Sequence, residues 1–182
     1  METLINGYRK FLKNADRDIY KKLANGQKPH TFVISCSDSR IIPEEIFSAG
    51  PGELFVLRNV GNVAKLNDPA IVSAIEYALL HLEVRNVVIL SHSDCGAVKA
   101  LANREEVDSD GLREWFRDEE YKGNEIEEAV KFHGQRQYER FLEMPVVIDV
   151  QKKRELNIGL FYFEIPSLQL EIFTGDKWQK YV

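Results

Sequence analysis

The chain has 182 residues, 44% of them hydrophobic, which suits one compact core and excludes a disordered segment or a disulfide-stapled miniprotein. Its 24 Lys and Arg stand against 29 Asp and Glu, a formal charge of -5, and no basic stripe points to nucleic acid. No apolar run approaches the roughly 20 residues that span a bilayer, so no membrane partner is expected. The charged N-terminus lacks the apolar stretch of a secretion signal, which makes a soluble, cytoplasmic protein the expectation.

Residues 1 to about 24 carry apolar side chains at helical spacing (Leu4, Tyr8, Phe11, Leu12, Ile19, Leu23) and stop at Asn25-Gly26. They predict an N-terminal arm (1–26) of one or two helices. The β-branched run His30 to Ser35 then opens into Cys36-Ser-Asp-Ser-Arg40, a buried strand followed by a polar loop. After the turn at Pro51-Gly52, Leu54 to Leu57 predicts a second strand, ending in the polar stretch Arg58 to Asn62. Asp68 can cap a helix whose first residue is Pro69, with Ile71, Ile75, Ala78, Leu79 and Leu82 on one face. Asn86 to Leu90 is a third strand and leads into Ser91-His-Ser-Asp-Cys-Gly96.

Residues 103 to 137 are charged, with an acidic stretch from about Glu105 to Glu128 and glycines at 111, 123 and 134. They predict surface helices and loops broken at the glycines. Leu156–Ile165 and Leu168–Phe173, around Pro166-Ser167, read as an antiparallel hairpin at a sheet edge. Strands alternating with helices imply an α/β fold, a mostly parallel central sheet flanked by helices over 27–182. The whole of 1–182 reads as a single domain.

Ligands in such sheets bind outside the carboxyl ends of strands, and all three polar loops follow a carboxyl end. Cys36 and the pair His92-x-x-Cys95 are thereby placed to meet. Two Cys and one His are a donor set zinc favours, with a fourth position left open for catalysis. A redox disulfide between the two cysteines is the alternative, although it lacks Cys-x-x-Cys spacing and gives His92 no role. Asp38 and Arg40 follow Cys36 by two and four residues, so an Arg-carboxylate pair can face the same cavity; the plain reading of that pair is a structural loop contact.

Cys-Ser-Asp-Ser-Arg (36–40), Pro-Gly-Glu-Leu-Phe-Val-Leu-Arg-Asn-Val-Gly-Asn (51–62), Ser-Ala-Ile-Glu-Tyr-Ala (73–78) and His-Ser-Asp-Cys-Gly (92–96) together resemble the β-class carbonic anhydrases. The resemblance implies one Zn2+ per chain on Cys36, His92 and Cys95, with Asp38 and Arg40 as a catalytic dyad. It implies a substrate-binding glutamine at Gln27, an apolar carbon dioxide pocket walled by Phe55, Val60 and Tyr77, and a backbone contact at Gly96. The implied reaction is reversible hydration of carbon dioxide to bicarbonate. A zinc hydrolase acting on carbonyl sulfide or carbon disulfide, or a non-catalytic zinc or redox-sensing module, are the alternatives.

The resemblance also implies a homodimer or larger homo-oligomer, its arm wrapping a neighbour and its active sites at the subunit interface, where Gln27, Phe55 and Tyr77 reach the zinc of the partner subunit. The apolar face of Leu4 to Leu23 agrees with that expectation. Two departures stand out. Ser91 occupies the place of a glycine usual before the metal histidine, and the segment between Leu101 and Pro145 is shorter than in most relatives.

Overall fold

The computed structural model describes residues 1–103 and 107–181. Glu105, where the acidic stretch of the sequence begins, lies outside the described residues.

The arm is two helices, α1 (Glu2–Asn14) and α2 (Arg17–Leu23), and neither buries a single residue. Asp16 caps α2 by accepting from the Asp18 and Ile19 N–H groups, which orients the second helix after the break at Ala15.

Six described strands form one sheet in the order β2-β1-β3-β4-β5-β6. Strand β1 (Thr31–Cys36) runs parallel to β2 (Leu54–Asn59) on one side and to β3 (Asn86–His92) on the other. Ile34 of β1 sits opposite Leu57 and Ile89. Every residue of β1 is buried, as expected of a strand covered on both faces. The period of two separates its side chains: Phe32 and Ile34 join one core cluster with Ile75, Leu79, Ile89 and Phe141, while Val33 joins Ile41, Leu90 and Phe163 on the opposite face.

After the short helix α3 (Pro43–Ile46), Asp68 and Pro69 start α4 (Pro69–Glu76) as expected, the Asp68 carboxylate accepting from the Ala70 and Ile71 N–H groups at 2.9 and 3.2 Å. The helix continues through one wider π-type turn, Tyr77–His81, closed by Leu82 N–H to the Tyr77 carbonyl at 3.0 Å. Ile71, Ile75, Ala78 and Leu79 are buried, but Tyr77 and Leu80 stand 44% and 50% exposed.

The segment after residue 103 departs from expectation. Helix α5 (Gly96–Ala102) and the short α6 (Asp110–Trp115) are followed by α7 (Ile126–Leu142). Gly123, at a φ of 142°, does break the chain. Gly111 lies inside α6 and Gly134 inside α7, so neither is a stop. Helix α7 is a core helix, burying Ala129, Val130, His133, Gln137 and Phe141. Gly134 is there for close approach: a Cβ on it would lie 2.4 Å from the Ser91 Oγ of β3.

Helix α8 (Pro145–Lys153) leads into β4 (Asn157–Glu164), which pairs parallel to β3. The expected antiparallel partner β5 (Gln169–Phe173) is present. Beyond it lies a strand the sequence pattern did not announce, β6 (Trp178–Tyr181). Four residues without apolar alternation carry little signal; Trp178 holds them by packing on Tyr162 and Phe173, ring centroids 6.1 and 5.4 Å away.

Candidate metal centre

Strand β1 ends at Cys36, and its neighbour β3 ends at His92, so parallel pairing brings both to one edge of the sheet. Asp94, at a φ of 58°, turns the chain back so that Cys95 lies at the start of α5. The donor atoms of Cys36, His92 and Cys95 lie within 4.8 Å of one another, and all three residues are buried. His92 Nδ1 sits 2.9 Å from the Ser93 carbonyl, which can only accept, so Nδ1 carries the proton. Nε2 is left bare, buried and without a hydrogen-bond partner among the described residues.

The two sulfurs are 4.0 Å apart. A disulfide needs about 2.05 Å, whereas two thiolates about 2.3 Å from one tetrahedral ion stand about 3.8 Å apart. An unsatisfied imidazole nitrogen facing two sulfurs at that spacing fits a zinc ion with one position open. The hydrogen bond from Cys95 holds the Cys36 thiol well below its ordinary range, aided by the Gly61 N–H at 3.4 Å. The same sulfur contact, with burial, pushes Cys95 up. A cation bound between the two sulfurs would displace the thiol proton.

Asp38 and Arg40 form the two-pronged pair that the spacing suggested. Arg40 Nε donates to Asp38 Oδ1 at 2.9 Å and a terminal nitrogen donates to Oδ2 at 2.8 Å. Asp38 Oδ2 lies 3.9 Å from His92 Nε2, so the carboxylate borders the donor set. The Arg40 guanidinium holds the Asp38 carboxyl far below the usual carboxylate range. Two further groups, unassigned from sequence, steady the pair. Arg40 donates to the Asp94 carboxylate at 3.3 Å and to its carbonyl at 3.2 Å, tying the first ligand loop to the second. Arg58 donates to the carbonyls of Cys36 and Asp38 at 3.1 and 2.7 Å. Their positions, one between His92 and Cys95 and one at the end of β2, were the available signal.

The carbonic anhydrase family model matches residues 31–167. The chain belongs to the carbonic anhydrase family. Along 97% of its length it is 32% identical to a carbonic anhydrase of Synechococcus elongatus, covering 74% of that protein. A Helicobacter pylori carbonic anhydrase is 42% identical over 97 residues, which are 50% of this chain and 42% of that one. The chain spans about half the length of the first curated relatives it matches. Among solved structures, the β-carbonic anhydrase CcaA superposes with a TM-score of 0.92 at 27% identity, covering 100% of this chain and 92% of that one.

The other residues that the carbonic anhydrase resemblance pointed to divide into two groups. Val60 and Gly96 lie by the metal centre. Val60 precedes Gly61, whose N–H reaches the Cys36 sulfur, and Gly96 opens α5 beside Cys95 with free space where a Cβ would stand. Phe55 and Tyr77 do not. Phe55 pairs with Phe32, four positions before the Cys36–Asn59 pair, or about 13 Å along the strand at about 3.3 Å per residue. Phe55 and Tyr77 instead contact each other, ring centroids 5.8 Å apart, toward the amino end of the sheet. Gln27 is exposed in the stretch leading into β1. Within one chain these three are not brought to the chain's own metal centre.

Proposed function

We propose that the protein catalyses reversible hydration of carbon dioxide to bicarbonate and a proton, using one zinc ion held by Cys36, His92 and Cys95. The observation that carries the reading is the buried donor triangle with a bare His92 Nε2, bordered by a carboxylate that Arg40 grips at two points. The chemistry a zinc ion held there would supply is the acidification of water into a nucleophile able to attack carbon dioxide. Asp38, kept ionised by Arg40, can only accept a hydrogen bond. It therefore turns the attacking oxygen's proton toward itself and a lone pair toward substrate. Arg40 holds that acceptor still, and Asp94 holds Arg40.

Carbon dioxide has no charge to grip, so an apolar wall must position it. Phe55 and Tyr77 are suited to be that wall and Gln27 to hydrogen-bond a substrate oxygen, and all three lie away from the chain's own donors. We infer that they serve the metal centre of a second copy, in a homodimer or larger homo-oligomer with active sites at the interface. The exposed face of the arm, with Leu4 70% and Tyr8 59% exposed, supports such a partner. Among the described residues no helix is long and apolar enough to cross a membrane. The two buried free thiols suit a reducing compartment, and we place the protein in the cytoplasm.

Zinc content and gas hydration measured on one purified sample test the reading. One zinc per chain with carbon dioxide turnover is expected. Turnover of carbonyl sulfide or carbon disulfide instead would move the substrate, and a metal-free active sample would overturn the mechanism.

A further inference from the structure

Behind the metal centre, the loop following β2 is held by side chains that the proposed reaction does not use. His133 Nε2 donates to the Gly61 carbonyl at 2.7 Å. One turn on, Gln137 Oε1 accepts from the Ala64 N–H at 2.9 Å, and its Nε2 donates to Glu119 at 2.7 Å. Arg140 pairs with the same Glu119. His133, Gln137 and Arg140 lie on one face of α7 at spacings of four and three, and His133, Gln137 and Glu119 are at most 3% exposed. A buried carboxylate is costly unless paired, and here it is met by an arginine and an amide. Burial pushes His133 below its ordinary range, opposed by Glu119, whose Oε2 lies 3.8 Å from Nδ1. The Gly61 carbonyl can only accept, so Nε2 carries a proton toward it, and Nδ1 has no hydrogen-bond partner among the described residues.

Gly61 is where this array meets the ligands. Its N–H points at the Cys36 sulfur, 3.4 Å away, while its carbonyl is the group His133 grips. The residue has a φ of 85°, and a Cβ on it would lie 3.1 Å from the Ala97 Cβ and 3.7 Å from His133 Nε2. The backbone on both sides of the Gly61 Cα is thus fixed, one side by the imidazole and the other by the sulfur. We infer that His133 is a positioning residue for the metal centre, clamping Gly61 so that its N–H withdraws charge from the Cys36 sulfur. Groups that hydrogen-bond a ligand from outside set its orientation and donor strength, and their loss costs about 10–100-fold in metal affinity.

The inference rests on Cys36, His92 and Cys95 being ligands, so the test reads the metal directly. Wild type, His133→Leu and His133→Gln are loaded with cobalt(II), and the sulfur-to-metal charge-transfer band and affinity against a competing chelator are recorded. In His133→Leu the sulfur regains charge, the band moves to longer wavelength, and affinity falls about tenfold. His133→Gln keeps an N–H able to reach Gly61 and restores the wild-type band. Gln137→Leu frees the loop at Ala64 and takes an amide from Glu119 while leaving the His133–Gly61 hydrogen bond in place, and it lowers the unfolding midpoint without moving the band. If His133→Leu does not fold, His133→Asn, polar but too short to reach Gly61, takes its place with the same expected shift. A wild-type band and affinity in the Leu or Asn variant, or a Gln variant altered as much as Leu, overturns the role of His133. A wild type that binds no cobalt overturns the ligand assignment itself.

Discussion

The two ends of strand β1 carry sites of opposite character. At the carboxyl end, Cys36 meets His92 and Cys95 in a buried cluster bordered by the Asp38–Arg40 pair and the Gly61 N–H. At the amino end, Phe32 packs against Phe55 and Phe55 against Tyr77, and the group ends at the 44% exposed Tyr77 with Leu80 exposed close by in sequence. Thiolates, imidazole and carboxylate are short-range, directional groups, so strand register alone can assemble them. An apolar wall needs area, and this chain leaves that area partly uncovered. The donor set at one end is therefore assembled within a single copy, while the wall at the other end is the part proposed to serve a second.

The sharpest way to break that contrast is to remove a ligand. Cys36→Ala, Cys95→Ala and His92→Ala each leave two protein donors with no substitute in the donor set, so bound zinc and activity are expected to fall to background together. Metal analysis of the folded variants checks this. Full zinc in any of them would show that the carboxyl-end cluster is not the site.

Arg40→Ala tests whether that end is complete beyond its ligands. Zinc stays, but Asp38 loses the two-pronged grip and the rate drops by about 100-fold, the scale of a misplaced catalytic group. The sign of the pH effect follows from the ion pair. Arg40 lowers the Asp38 pKa, so its removal lets the carboxyl climb back toward about 4. The acid limb of the rate profile therefore moves to higher pH. An unshifted profile with an unchanged rate would reduce the pair to a loop contact.

Deleting residues 1 to 24 probes the opposite end. No ligand is touched, so zinc remains at one per chain, while association weakens and activity falls at least several-fold as the copies separate. Sedimentation and assay at matched dilutions check the coupling. A fully active monomer would show that Phe55, Tyr77 and Gln27 are not needed by a neighbour's metal.

The sequence made the carboxyl end far easier to read than the amino end. Cys36, His92 and Cys95 each follow a β-branched run, so the alternation of strand and loop located them; the Asp38–Arg40 pair followed from two residues of spacing. Capping chemistry gave α4, because Asp68 and Pro69 fix a helix start through groups within three residues. Contacts between distant segments escaped. Gly134 reads as a breaker in isolation, and only the approach of α7 to Ser91 explains why a glycine sits inside a helix there. His133 and Gln137 carry no local pattern that tells a surface helix from one holding a loop 72 or 73 residues away. The family resemblance already implied that Phe55 serves a partner's zinc, but how far it stands from the chain's own ligands needed the β1–β2 register.

The smallest effect expected is on stability, and it concerns the contact between β3 and α7 just before His92. Gly134→Ala adds a methyl 2.4 Å from the Ser91 Oγ, 3.4 Å from the Ser91 Cβ and 3.3 Å from a Leu160 methyl. Overpacking of this kind costs about 1–3 kcal/mol, against a helix-propensity gain of at most about 1 kcal/mol for Ala over Gly. A net loss of about 1 kcal/mol is expected. Ser91 is buried, and its hydroxyl has no partner among the described residues, so Ser91→Gly removes both close atoms without stranding a hydrogen bond. In that background only the Leu160 methyl at 3.3 Å opposes the propensity gain, and Gly134→Ala becomes close to neutral or stabilising. Denaturant unfolding of the wild type, both single variants and the double gives the coupling between the two positions, free of whatever Ser91→Gly costs by itself. An equal loss in both backgrounds would put the conflict at Leu160 and leave Ser91 without a part in the glycine's place inside α7.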